Sequence, residues 1–489
     1  MRKEKIKSII LFILIINCLQ LTGQIWFDKK LWPSGYNFFN SLTNVPLVSD
    51  FLKVLPFGNA SEQVDNLYSS ITRPKKIIVS GGGAREVYYS NQKQYGDVIL
   101  LADKIKTSLF KATSPRSEAV TKEEWQSFLK GKSIYIDYGF NIDMGIMAQS
   151  YGAGANAPFS QLGIVSGIVI TADTVTNSVI VCAKDSRTGN ISKFWSDYKG
   201  DELTKYIEGL TFGKQQSQAF AFELNLDRAT QGIDIKRKVF LEPLVLLPMN
   251  PSNMPKINIV NPLKKDGVGV GQKFADNIVT AFGYAPSSLR KSIMQDGVAS
   301  YVENSATIKI YPSGLVEYNA IKTDKGIRIQ NAKIEPNQIV NSIAKIARDV
   351  WKKAGVTQPP DMSLVSDLVE QKSGKYIVEM NYIVEGIPVI TQFSLAEPMY
   401  NALYAEVQDG YIKRFRMVLR TFSVTGEKVQ STPVLVAIDN LFKMYGQANT
   451  ETKINDIFQC YSSEGGDTSV AQWGVELSNN KGVIIVPSI

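Results

Sequence analysis

Serine–lysine pairs spaced like an acyl-enzyme nucleophile and its base recur along this 489-residue chain. Among them are Ser108/Lys111, Ser127/Lys130, Ser288/Lys291 and Ser342/Lys345. On a helix this spacing sets the amine one turn from the hydroxyl, where it can take the proton. The chemistry needs no histidine, and the chain has none. Ser288/Lys291 with Lys372-Ser373-Gly374 would form the set used by a penicillin-binding-type enzyme. Repeated matches to so short a pattern are what chance gives when both residues are common. Lys372-Ser373-Gly374 also falls in an expected hairpin turn, so this reading ranks third.

Other chemistry is thinner still. Without histidine the commonest general base, zinc ligand and pH switch are all missing. Of the three cysteines, Cys18 lies in an apolar stretch, and Cys182 and Cys460 are far apart. Two buried free thiols are favoured over a disulfide, which stays open, and neither a metal nor a cofactor is expected. Gly81-Gly82-Gly83 follows a strand but lacks the ending of a phosphate-binding loop, so it reads as a turn. Gly267-Val268-Gly269-Val270-Gly271 reads as a helix-entry loop, and Tyr151 to Asn156 as a loop. No carboxylate pair stands out for glycoside hydrolysis. Net charge is +8, with lysine spread along the chain. No basic run interleaves with aromatics, so nucleic acid is not an expected partner. Anionic headgroups or wall polymers suit such a surface better.

The first residues carry more information. Arg2, Lys3, Lys5 and Lys7 precede an unbroken apolar run, Ile9 to Ile16, and a weaker one reaching Phe27. Ile9 to Phe27 as a helix spans about 28 Å, close to the hydrocarbon thickness of a bilayer. Basic residues before the span stay in the cytoplasm, so the remainder is expected outside, with Trp26 and Trp32 at the outer interface. Leu21-Thr22-Gly23 matches a signal-peptide cleavage site only in part. Asn17 is too large to precede a lipidated Cys18. A single uncleaved anchor is therefore favoured, and the chain is expected at the cell membrane. Within it Ile13, Asn17, Gln20 and Gln24 fall on one helix face. Polar groups in a span usually turn towards another helix, so these four form the candidate partner-binding stripe.

Behind the anchor (1–27), residues 28–72 read as a stalk and 73–247 as a mixed α+β domain. Its signals are a strand at Lys76 to Ser80, a strand at Ile134 to Tyr138, and a hairpin from Ile164–Thr171 to Ser178–Ala183. Between them a Thr121-to-Glu124 capping box opens a helix that buries Trp125, Phe128 and Leu129. The prolines from Pro248 to Pro255, with Pro262, read as an extended linker. Beyond it one plan, a helix followed by antiparallel strands, is expected three times. Gln272–Phe282 leads into strands at 299–302, 307–311 and 314–320, giving a middle domain at 263–335. Asn337–Ala354 leads into strands at 364–371, 376–384 and 392–395 and a hairpin around Asp409-Gly410. Thr432-Pro433 opens a helix burying Leu435, Ile438, Leu441, Phe442 and Tyr445, before strands at 454–461, 470–477 and 482–486. The last two units make up 336–489. The fold class is α+β, a binding or scaffold plan rather than a catalytic one.

The assembled pattern resembles the YycH family of two-component-system regulatory proteins. The likeness rests on Lys3 to Lys7 running into one span and on the strand-turn-strand from Ile308 to Tyr318. Ile377, Gly386 to Val389, Asp409 to Ile412 and Pro433 to Ile438 are similar to the companion YycI-type domain, related in shape to the PepSY fold. The resemblance implies a non-enzymatic extracytoplasmic regulator in Gram-positive bacteria. Its implied partners are a membrane histidine kinase governing cell-wall metabolism, a YycI-type companion protein and the lipid bilayer. A binding module for wall polymer or lipid, without a kinase, is the runner-up.

Overall fold

The computed structural model describes residues 73–486, apart from 152, 154–156, 211, 213–217, 228–238, 264–269, 323–324, 330–335, 372–373, 393–398, 446–451, 465 and 479–481. The expected anchor and stalk lie outside the described residues, as do Ile13, Asn17, Gln20 and Gln24. No described helix is long and apolar enough to cross a membrane.

The first sheet holds seven antiparallel strands in the order β2-β1-β4-β5-β6-β7-β3. They are β1 (Lys76–Gly81), β2 (Arg85–Tyr88), β3 (Ser117–Val120), β4 (Lys132–Asp143), β5 (Ile164–Asp173), β6 (Ser178–Asp185) and β7 (Ile191–Lys199). Alternation along the strands supplies two apolar faces. Ile77, Val79, Ile134, Ile136, Ile168, Ile170, Val179 and Val181 pack under α1 (Lys93–Lys111) and, further along the chain, the helix Gly200–Glu208. Ile78, Tyr135, Val169, Ile180 and Cys182 point the other way, towards α2 (Lys122–Lys130) and its Trp125 and Leu129. The backbone N–H of Glu124 donates to the Thr121 hydroxyl at 3.2 Å, the expected cap. Met144–Ser150 forms the short α3, and Gly200–Glu208 is α4. Helix α1 has no expected counterpart in the sequence. Its apolar spacing is helical (Tyr95, Val98, Leu101, Ala102, Ile105, Leu109), but Gly96 sits in its first turn and neither end carries a side-chain cap or a glycine stop.

The second half is built on one large mixed sheet, with a three-stranded sheet and a two-stranded one beside it. Short strands β8 (Gln218–Phe220), β9 (Val239–Leu241) and β10 (Leu246–Pro248) lead to β11 (Asn253–Val260). A meander follows: β12 (Arg290–Ile293), β13 (Ala299–Val302), β14 (Ala306–Ile310), β15 (Leu315–Ala320) and β16 (Ile327–Arg328). Then come β17 (Asp361–Leu364), β18 (Lys375–Val384), β19 (Ile387–Ile390), β20 (Leu403–Gln408), β21 (Tyr411–Val418) and β22 (Thr421–Gln430). The last are β23 (Thr452–Ser462), β24 (Thr468–Ser469), β25 (Gln472–Leu477) and β26 (Val483–Val486). The main path runs β12-β13-β14-β15-β21-β20-β18-β19-β23-β25-β26, with β16, β17 and β9 beside it, and the smaller sheets are β22-β11-β24 and β10-β8. Each expected helix is present: α5 (Gln272–Thr280), α6 (Pro336–Lys353) and α7 (Val434–Tyr445). Pairing of β15 with β21, Leu315↔Val418 to Asn319↔Arg414, carries the sheet across residue 335. The hairpin at Asp409-Gly410 has both turn residues at positive φ (51° and 83°), as its sequence requires.

Four local expectations change. The proline-rich linker is shorter than expected: residues 249–252 are irregular, and from Asn253 the chain is a strand, β11, between β22 and β24. The ladder accommodates Pro255, which has no N–H to give, by shifting register between Pro255 and Ile257. The Pro255 carbonyl accepts the Tyr461 hydroxyl at 2.7 Å. The strand expected at 364–371 ends at Leu364. Ser366 there substitutes its side chain for the ladder, accepting from Glu379 N at 2.9 Å, and the segment turns away so that Leu368 N reaches Asn141 O. The strand expected at 392–395 is found earlier, as β19; residues 393–395 lie outside the described residues. On α7 the buried stripe is Val434, Ala437, Ile438 and Leu441, while Leu435 is 43% exposed. Of the expected face, Ile438 and Leu441 enter the core with Ile457 and Trp473 and Phe442 packs against it, so Leu435 is the residue that departs. The Tyr445 side chain lies outside the described residues.

Candidate ligand-binding cleft

Charged residues sit where two otherwise apolar strands meet. Lys75 and Lys76 lead into β1, and Asp456 lies in β23 at a register shift, paired across to Glu476 of β25. Two acids directly opposite on neighbouring strands repel. Lys75 relieves this: its Nζ lies 2.7 Å from Asp456 Oδ2 and 4.1 Å above the Phe458 ring. Lys76, 8% exposed in its side chain, reaches Asp137 at 3.4 Å. Burial alone would lower the Lys75 amine, but Asp456, Glu476 and Asp137 raise it above the ordinary lysine value. Burial pushes Asp456 up, yet Lys75 and Lys76 hold it below the usual carboxylate range. Glu476 is the third charge in a cluster that balances two. Burial raises its carboxyl against the pull of Lys75, and it makes no hydrogen bond or ion pair among the described residues.

Further contacts clamp the first sheet onto the last. The Asn91 amide donates to Glu385 at 3.2 Å, and Asn141 donates through N and Nδ2 to the two oxygens of Asp367. Strand β9 pairs in parallel with Thr452 to Ile454 of β23, and Lys453 is bonded to Glu242. Leu241, Val245 and Leu247 share a core with Val434, Ile438 and Leu441 of α7. Gly386 (φ 77°) lies so close to Tyr89 that an added Cβ would come within 2.7 Å of it.

These contacts enclose a cleft of about 560 Å³. Its walls come from the start of the chain's first sheet (Lys75, Tyr89), helix α6 (Arg348, Trp351), β17 and the β23–β25 pair (Phe458, Glu476). Volumes of roughly 300–1,000 Å³ are usual for ligand sites. Trp351 is 1% exposed, and its indole N–H has no partner. Arg73 and Arg348, also lining the cleft, carry no ion pair among the described residues. The acids around them hold Lys75 and Lys76 protonated, so the arrangement balances charge.

The residues proposed for chemistry from sequence do not converge here. Ser288 Oγ donates to Ala285 O while Lys291 pairs with Asp276. Ser108, Ser127 and Ser342 donate to carbonyls of their own helices (Ile105, Glu124 and Gln338), not to lysine. Lys372 and Ser373 lie outside the described residues, and Gly374 is a turn at φ 67°. Gly82 (φ 90°) makes the expected β1–β2 turn. Cys182 and Cys460 are free and buried in different surroundings; burial pushes the Cys460 thiol up to about 12. No group of three or more metal-ligating side chains occurs among the described residues. The cleft itself escaped sequence reasoning because Lys75 and Asp456 meet across most of the chain. The available signal was an acid inside the apolar strand Ile454 to Tyr461.

No protein-family model matches the chain, and no curated protein matches it in sequence. Comparison with solved structures decides the fold. The crystal structure of YycH from Bacillus subtilis superposes with a TM-score of 0.53, covering 86% of this chain and 97% of that one at 13% identity. The chain has a YycH-like fold. The YycH-like fold spans both sheets, and so includes the cleft between them.

Proposed function

We propose that this protein is a non-enzymatic, membrane-anchored regulator of a sensor histidine kinase in a two-component system controlling cell-wall metabolism. The observation that carries this reading is the YycH-like fold along 86% of the chain. The basic residues and apolar span at the N-terminus support a single-pass topology, with the described sheets outside the cell. Contact with the kinase runs through the external domains and through the helix face bearing Ile13, Asn17, Gln20 and Gln24. A YycI-type companion is a second partner. Co-purification of a histidine kinase with the full-length chain from detergent extracts tests the reading. Replacing Asn17 and Gln20 together by leucine should keep membrane insertion and reduce recovery of the kinase roughly three- to thirtyfold, as loss of interhelical hydrogen bonds does. Absence of any kinase in the wild-type extract overturns the proposal. The enclosed cleft favours the second reading, a ligand-binding module with no kinase partner, should that occur.

A further inference from the structure

We infer that the cleft binds an extended peptide, which adds as a strand to the free edge of β17. Side chains of a strand alternate between two faces, so a cavity over a face is lined by every second residue. Here every residue from Pro359 to Val365 lines the cleft. The cavity therefore runs along the edge of the strand, beside its backbone. Strand β17 pairs only with β18, so its other edge is unpaired among the described residues. Strand β2 across the cleft pairs only with β1, and Glu86, Val87 and Tyr89 to Gln92 line that wall consecutively or nearly so. Open strand edges attract a further strand unless charge, proline or a covering element prevents it. Two such edges in an enclosed, half-apolar space form a receptor for main chain.

The side chains fit the same occupant. The buried indole N–H of Trp351 lacks an acceptor, and a peptide carbonyl supplies one. Val87, Met362 and Ile387 give apolar contact, while Arg73 and Arg348 are uncompensated donors for an acidic side chain. Asp361, Glu385 and Glu476 line the same space, so an acidic side chain is accommodated only beside Arg73 or Arg348. This inference stands apart from the kinase reading: its test involves peptide alone, and a failed kinase pull-down leaves it intact.

The test uses the full-length chain in detergent, exposed to a pooled library of unstructured peptides of about ten residues. Retained peptides should protect backbone amides of residues 85–88 and 361–365 in hydrogen exchange. Trp351→Phe keeps the ring and removes the donor, so it should weaken binding roughly two- to tenfold. Arg348→Ala, at an exposed position that folding does not need, should weaken acidic peptides selectively. No peptide retained at about 1 mM overturns the inference. So does protection confined to other strands, or unchanged affinity in both variants.

Discussion

Lys75 is the residue on which the junction of the two sheets depends, because it separates two acids that the β-ladder forces together. Lys75→Met should destabilise the protein by about 2–3 kcal/mol, less than the 3–5 of a fully buried broken pair since the side chain is 26% exposed. Chemical denaturation of the full chain measures it. Glu476→Gln should act oppositely, adding about 0.5–1 kcal/mol at neutral pH by removing the cross-strand repulsion. The sign of the pH dependence follows from the shifts. Glu476 holds its proton above the ordinary 4.5, so it costs stability as pH rises through that range. Asp456, held low, adds stability above 3.8 and loses it on acidification. The advantage of Glu476→Gln should therefore shrink as pH falls towards 4.5, because the wild-type carboxyl picks up its proton above that value. An advantage that is constant or grows on acidification would contradict the raised carboxyl.

At the scale of elements, α7 gives the sharpest contrast between neighbouring positions. Ile438→Ala should cost about 2–4 kcal/mol, because it empties space against Ile457 and Trp473. Leu435→Ala, at 43% exposure, should change stability by no more than about 0.5 kcal/mol. Equal losses would restore Leu435 to the buried face read from sequence. Helices with strong local punctuation were legible: Thr121 caps α2, and Gly355 (φ 76°) closes α6. Helix α1 was not, because its stripe begins beside Gly96 and its ends lack capping chemistry. The prolines of β11 misled for a related reason. Proline forbids a donor, not a strand, and Pro255 sits at a register shift that excuses the missing N–H. The cleft left one trace in the sequence, Asp456 inside an apolar strand, while Trp351 does not differ locally from a residue of an ordinary core.

For the whole molecule, the end of the stretch expected as a linker is an inner strand, β11, held between β22 and β24. Limited proteolysis of the full chain in detergent should therefore leave residues 253–260 intact while other loops are cut. Early cleavage there would show that β11 does not hold its place between β22 and β24. The parallel pairing of β9 with β23 has a consequence for how the chain matures. Val239 to Leu241 is made early, but its partners Thr452 to Ile454 are among the last residues synthesised. Until they arrive, Leu241, Val245 and Leu247 have no core to enter. Contacts closing so long a loop form late and slowly. With the proposed topology, in which the chain is exported behind a cytoplasmic N-terminus, this sticky strand would be presented throughout export, and an interruption near residue 450 would leave it permanently uncovered. Quality control by proteases should therefore read the C-terminus of this protein, although the gap it detects lies in the first half.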